Sequence, residues 1–308
     1  MIEGRVTKST GSWYTVMDNV GTRFECRLRG KFKLIDKKIT NPIAVGDRVN
    51  ITEDEAHPGT WIIKDILSRS NYIIRKSPKK TGHGHLLAAN IDQAILIATI
   101  AQPATSTGFI DRFLVTAESF RIPASIIINK KDLFTDRDQL QLSELTNIYE
   151  QIGYPIRMIS ALERKDVNQL KSSLKDQFTL LSGHSGVGKS TIINALVPSA
   201  GQKVSEVSSF ANKGVHTTTF AEVFELSTNS YIIDTPGIKE LGLLEIEKDE
   251  LSHYFPEMRQ FLGECKFNNC QHLEEPGCRI LQGIEEGDIH PSRYLSYLSM
   301  LEDHDNRR

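Results

Sequence analysis

The chain has 308 residues, of which 39% are hydrophobic and 25% charged, and its formal net charge is −2. Such values are ordinary for a globular protein and allow two or three domains at roughly 100–200 residues each. No apolar run reaches the ~20 residues that span a bilayer, and the opening MIEGRVTKST lacks the apolar core of a signal peptide, so a cytoplasmic protein without a membrane partner is expected.

The small net charge conceals a split. Residues 1–80 hold 16 Lys and Arg against 9 Asp and Glu, a net of +7, which leaves 21 against 30, a net of −9, for the remainder. A basic module joined to an acidic one favours a phosphate-rich partner, although a solvated basic surface has the same composition. Of the four cysteines, Cys26 stands alone and three crowd between 265 and 278. A lone cysteine in a strand is most simply a small core residue.

Along the chain, residues 1–70 read as an all-β module. The runs Trp13–Met17, Thr22–Leu28, Arg48–Thr52 and Thr60–Ile66 are rich in β-branched and aromatic residues and are separated by turn signals such as Gly46-Asp47 and His57-Pro58-Gly59. Strands this short suit a small barrel, with the oligonucleotide-binding type as one candidate. Trp13, Tyr14, Phe24 and Trp61 then either fill the core or offer platforms on which bases stack. The basic, glycine-containing stretch Arg75–His85 reads as an exposed linker or mobile loop.

Strands and helices then alternate. Strands are expected at Ile91–Ile100, Ala124–Ile128, Ile156–Ile159 and Phe178–Leu181, with helices at Phe109–Phe120, Asp136–Ile152 and Val167–Leu174 between them. This rhythm predicts a mostly parallel sheet whose chemistry sits in the loops at the carboxyl ends of its strands. Beyond about residue 240 the strands stop, leaving a helical segment, the cysteine cluster and a helix around Pro291–Asp303.

The sharpest motif is Gly183-His184-Ser185-Gly186-Val187-Gly188-Lys189-Ser190, which fits G-x-x-x-x-G-K-[ST] between the strand Phe178–Leu181 and a helix at Thr191–Leu196. Glycines let the backbone amides turn inward onto phosphate oxygens, and the helix N-terminus adds positive potential. Lys189 is expected to reach the β- and γ-phosphates, and Ser190 to ligate Mg²⁺. Asn129-Lys130-Lys131-Asp132, directly after a strand, selects guanine. A carboxylate there accepts from both the ring N–H and the exocyclic amine, which adenine cannot match. Asn129 addresses the other edge of the base and the Lys130 stem covers its face. Ser160-Ala161 supplies a backbone amide to the guanine oxygen.

Asp234-Thr235-Pro236-Gly237 ends the strand Tyr231–Ile233, and the irregular polar stretch Pro198–Thr219 contains Lys213-Gly214-Val215-His216-Thr217-Thr218-Thr219. Asp234 is expected to hold Mg²⁺ through water, Gly237 to sense the γ-phosphate and Thr218, ahead of Thr217, to complete the Mg²⁺ shell. Ile238 stands where many GTPases carry a water-orienting Gln, so His216 is the candidate to hold or accept a proton, against a role in packing the loop alone.

Motif order is unusual, because the guanine-recognition sequence precedes the P-loop and Asp234–Gly237 comes last. The arrangement is a circular permutation, which preserves the sheet when domain termini lie close together. Cys265, Cys270, His272 and Cys278 read C-x₄-C-x-H-x₅-C, a donor set suited to one tetrahedral, structural Zn²⁺, with free or redox thiols as the alternative. His253, His290 and His304 are expected at the surface.

Taken in order, the β module, N-K-x-D, S-A, G-x-S-G-V-G-K-S, H-T-T-T, D-T-P-G and the cysteine cluster resemble the bacterial ribosome small subunit-dependent GTPase A family, over nearly the whole chain. Ala89-Asn90-Ile91-Asp92, Tyr254-Phe255-Pro256-Glu257, Glu275-Pro276-Gly277-Cys278 and Arg293-Tyr294 agree with it. The resemblance implies an oligonucleotide-binding-type barrel (1–70), a circularly permuted α/β P-loop GTPase domain (71–240) and a mainly helical zinc-binding domain (241–308). GTP is then held by Asn129–Asp132, Ser160, Ala161, Gly183–Ser190, Thr191 and Asp234. It further implies a protein that binds rRNA and matures the small ribosomal subunit, hydrolysing GTP when that subunit stimulates it; a monomer is expected. Competing readings are a P-loop ATPase or kinase with an accidental N-K-x-D, an RNA-binding module that holds nucleotide without turnover, and a zinc-dependent hydrolase.

Overall fold

A computed structural model describes residues 1–28, 41–76, 84–201, 222–234 and 246–302. The chain divides into two compact units, each discontinuous in sequence: Met1–Ile95 with Ala161–Leu244, and Leu96–Ser160 with Glu245–Arg308.

The first unit opens with a closed barrel of β1 (Ile2–Ser9), β2 (Trp13–Asp18), β3 (Arg23–Leu28), β4 (Arg48–Glu53) and β5 (Trp61–Ile66), in the order β1-β2-β3-β5-β4. Antiparallel pairing of β1 with both β2 and β4 closes it, and β3 runs parallel to β5. Alternating side chains fill the interior with Val6, Tyr14, Val16, Cys26, Val49, Ile51 and Ile63. Tyr14 is therefore a core residue, Phe24 and Trp61 meet edge to face at 4.6 Å beside that core, and Trp13 alone of the four aromatics is exposed. Cys26 is fully buried, as a small core residue should be, and burial pushes its thiol up to about 12. The sequence reading lacked β1, whose only buried residues are Gly4 and Val6. Gly4 is there because a Cβ would lie 2.6 Å from Val16 Cγ1, so the closest strand contact removes the side chain that would have signalled a strand.

Of the stretch Arg75–His85, residues 77–83 lie outside the described residues. Its ends belong to an antiparallel pair, β6 (Tyr72–Lys76) with β7 (Gly84–Ala89), in which Arg75 faces His85 and Lys76 faces Gly84. Buried Ile73, Ile74, Leu86 and Ala88 draw those flanks into strand.

A six-stranded sheet follows, ordered β10-β9-β8-β11-β13-β12. Its members are β8 (Gln93–Ala98), β9 (Ala124–Ile128), β10 (Ile156–Met158), β11 (Phe178–Ser182), β12 (Glu222–Ser227) and β13 (Ser230–Asp234). Pairing is parallel for β9 with β10 and for β11 with β13, and antiparallel for the edge strand β12. The first unit carries α3 (Arg164–Ser173) and α4 (Lys189–Leu196). Within it the barrel meets the sheet through the Arg5 guanidinium, 4.8 Å above the Phe178 ring, and through Tyr231 against Met17.

The second unit contains α1 (Thr107–Ser119), α2 (Asp136–Gln151), α5 (Pro256–Arg259), α6 (Arg279–Glu286) and α7 (Pro291–Leu301). Ser106 caps α1, and Thr135 with Asp138 forms a capping box on α2. No strand occurs after β13 among the described residues. His253 and His290 are exposed as expected, His290 serving as the N-cap of α7, and His304 lies outside the described residues.

Candidate functional site

Every residue of β11 is buried, so the strand delivers the loop Gly183–Gly188 from a fixed base. Gly186 and Gly188 adopt φ of +87° and +90°, a left-handed backbone that a Cβ would strain. Val187 is fully buried and anchors the loop, while Ile192, Ile193 and Leu196 anchor α4 behind it. Lys189 begins α4 with Ser190 and Thr191 in the same first turn, where unpaired backbone amides favour anions. His184 Nδ1 lies 3.1 Å from the Ser185 carbonyl.

Because β13 runs parallel to β11 with Asp234 opposite Leu181, the carboxylate arrives beside the P-loop at the carboxyl end of the sheet. Lys189 Nζ donates to Asp234 Oδ1. A cation from the loop and an anion from the neighbouring strand thus meet at the carboxyl end of the sheet.

In the second unit, Asn129 follows β9 and is 1% exposed, its amide donating to the Ala98 carbonyl at 2.9 Å. Lys130 turns left-handed at φ +64°, and its Nζ donates to the Gln102 carbonyl at 2.5 Å. Partial burial lowers the Lys130 pKa, opposed by the Asp132 carboxylate. A single 3₁₀ turn, Lys131–Leu133, then presents Asp132 exposed. The Lys131 amide donates to the Ile159 carbonyl at 3.1 Å, which ties this turn to fully buried Ser160, with Ala161 next in the chain. The role of Gln102 carries no signal in the sequence, because a backbone carbonyl is the acceptor. His216, Thr217, Thr218, Gly237 and Ile238 lie outside the described residues.

Cys265, Cys270, His272 and Cys278 converge, with all their ligand atoms within 4.8 Å of one another. His272 Nδ1 lies 3.6 Å from Cys265 Sγ and 3.5 Å from Cys278 Sγ, and all four cysteines of the chain are free. Burial lowers the His272 pKa, pushes Cys270 up to about 12 and raises Cys278. Three thiols, one buried and two half-buried, and a buried imidazole this close fit a cation held by four protein ligands.

Around the cluster stand residues to which the sequence assigned no role. Glu275 accepts from the amides of Gln271 (2.8 Å) and Leu273 (2.7 Å), bracketing His272. The Tyr294 and Tyr297 hydroxyls donate to the carbonyls of His272 and Gln271, each at 2.7 Å. These contacts hold the His272 backbone at φ +59° and so aim its ring.

The RsgA GTPase model matches residues 66–244 and the RsgA N-terminal domain model matches residues 3–61. The small ribosomal subunit biogenesis GTPase RsgA of Bacteroides fragilis is 49% identical over 302 residues, covering 98% of this chain and 97% of that protein. The protein of the same name from Cytophaga hutchinsonii is 50% identical over 307 residues, with both chains fully covered. Among solved structures, YjeQ from Thermotoga maritima superposes with a TM-score of 0.79 at 37% identity, covering 100% of this chain and 99% of its own. YloQ, a circularly permuted GTPase, gives 0.75 at 29%, covering 100% and 96%. Two family models that together span residues 3–244 agree with relatives about half identical along the whole chain, and the chain belongs to the RsgA GTPase family.

Proposed function

We propose that this chain hydrolyses GTP as a maturation factor of the small ribosomal subunit and that this subunit stimulates its turnover. The observation that carries the reading is the extent of the likeness: 49–50% identity to proteins named for small-subunit biogenesis runs through at least 98% of the chain. The basic residues 1–80 favour rRNA as the surface bound. On this reading the chain works as three modules, the barrel at 1–70, the GTPase domain at 71–240 and the metal-binding domain at 241–308, and acts as a cytoplasmic monomer.

In the GTPase cycle, Asp132 accepts from guanine, Asn129 addresses its other edge, and the Ser160-Ala161 backbone donates to its oxygen. The amides from Gly183 to Ser190 and the Lys189 ammonium neutralise charge on the phosphates, with His184 and Thr191 at the margins. Ser190 and Thr218 would hold Mg²⁺, with Asp234 acting on it through water, the ion would neutralise phosphate charge, and the Gly237 amide would mark the γ-phosphate. Without a Gln at 238, His216 supplies the group that orients or deprotonates water, and partner-activated turnover follows. Zn²⁺ fits the Cys265, Cys270, His272 and Cys278 donor set better than a hard cation, and four protein ligands make it structural.

Phosphate release from GTP by the purified protein, with and without small ribosomal subunits, tests the proposal. Strong stimulation by the small and not the large subunit is the expected result. Tight guanine-nucleotide binding without stimulation would retain the GTPase and remove the ribosomal role.

A further inference from the structure

Two non-glycine residues with left-handed backbones meet across one hydrogen bond: Lys130 (φ +64°) donates its ammonium to the carbonyl of Gln102 (φ +57°). Side chains with a Cβ seldom occupy this region, and such conformations persist only where surrounding contacts hold them. For Lys130 the holding contacts are the Asn129 amide on Ala98 and the Lys131 amide on Ile159.

Gln102 is held by a pair of threonines that bracket its loop. Thr99 Oγ1 donates to the Pro103 carbonyl at 2.5 Å. The Thr99 amide donates to Thr105 Oγ1 at 2.9 Å, and the Thr105 amide returns the bond to the Thr99 carbonyl at 2.8 Å. Both threonines are buried, at 1% and 7% exposure. Their hydroxyls therefore fix where the Gln102 carbonyl stands at the head of α1.

We propose that Thr99 and Thr105 are positioning residues for nucleotide binding: their clamp presents the Gln102 carbonyl, which locks the Lys130 side chain over the base. The inference rests on the reading of Asn129–Asp132 as the guanine-recognition sequence. A four-carbon stem free to rotate covers a base poorly, whereas one anchored at its ammonium is preorganised, and ordering it in advance spares that entropy on binding. The acceptor is a backbone atom, so the threonines are the side chains through which substitution can reach it.

The test is a double-mutant cycle read by GDP affinity. Thr105→Val keeps the shape and loses the hydroxyl; it should weaken GDP roughly tenfold, the scale of one charge-assisted hydrogen bond, and Thr105→Ser should restore it. Lys130→Met keeps the stem and removes the anchored ammonium. In that background Thr105→Val should add little, because both changes break the same link. Additive losses, or no loss from Thr105→Val, would overturn the proposal, and Thr105→Ala takes its place if the valine variant does not fold. Asp132→Asn provides the independent check. If it moves preference toward xanthine while the cycle is additive, only the clamp is wrong; if it does not, the guanine reading itself fails.

Discussion

Arg293 and Asp111 lie 182 residues apart in sequence and 2.6 Å apart in space. Both are fully buried. The same guanidinium donates through Nε to Glu257 at 2.6 Å, and Tyr149 donates to the Asp111 oxygen at 2.7 Å. One cation thus joins α7, α5 and α1, binding the metal-cluster region to the helix that follows the Gln102 loop.

Removing that cation strands two carboxylates in the interior. Arg293→Met should cost about 3–5 kcal/mol of stability, the usual penalty for breaking a buried ion pair. Denaturant unfolding would show it as a lower midpoint with native-like secondary structure at zero denaturant.

Metal occupancy is directly countable. Elemental analysis should find one Zn²⁺ per chain, and Cys278→Ser should lose it. Chelation should also lower the thermal midpoint, since metal binding to such a cluster contributes folding free energy. Full-length protein that carries no zinc and is unaffected by chelator would contradict the assignment.

Base choice should follow the exposed Asp132 carboxylate. Asp132→Asn removes the acceptor pair for guanine, so competition assays should show GDP weakened and xanthosine diphosphate strengthened, each by at least tenfold.

Acid should weaken the barrel through Asp54. The Arg27 hydrogen bond, aided by the Ala56 amide and His57, holds this carboxyl at about 2. Its pKa is lower folded than unfolded, where ~3.9 is usual. The ionised form therefore stabilises the fold above about pH 4, and that contribution is lost as pH falls from 4 toward 2. Asp54→Asn should flatten the stability curve in this window, and an unchanged slope would exclude the mechanism.

Hydrolysis should depend on His216. His216→Ala should keep nucleotide affinity and lose most of the stimulated turnover; single-turnover phosphate release separates the two. Full stimulated turnover would leave His216 with a packing role.

The sequence revealed the elements whose pattern matches their burial. The strand at Ala124–Ile128 and the helices α1, α2 and α7 fall within a few residues of expectation: α2 and α7 bury positions three and four apart, whereas α1 and the strand are buried or half-buried along their whole length. What it hid has physical causes. β1 buries two residues and one is glycine; the flanks of the basic stretch become strand through apolar neighbours on either side of it. The P-loop motif, the N-K-x-D motif and the cysteine cluster stood out because each sets particular side chains at particular spacing. The supports of Lys130 and His272 did not, since they act through backbone carbonyls, Glu275 and two tyrosines that any core could contain.

Each compact unit is assembled from two stretches of chain, with the last of the second unit beginning at Glu245. During synthesis, neither unit can close early. The barrel can form once residue 66 has emerged, yet the sheet beside it waits for β13, well over a hundred residues later. Asp111 waits longer still, gaining its counter-ion only when α7 appears, 182 residues further on. Until then its carboxylate must stay near water, so the second unit acquires its final stability only when α7 leaves the exit tunnel.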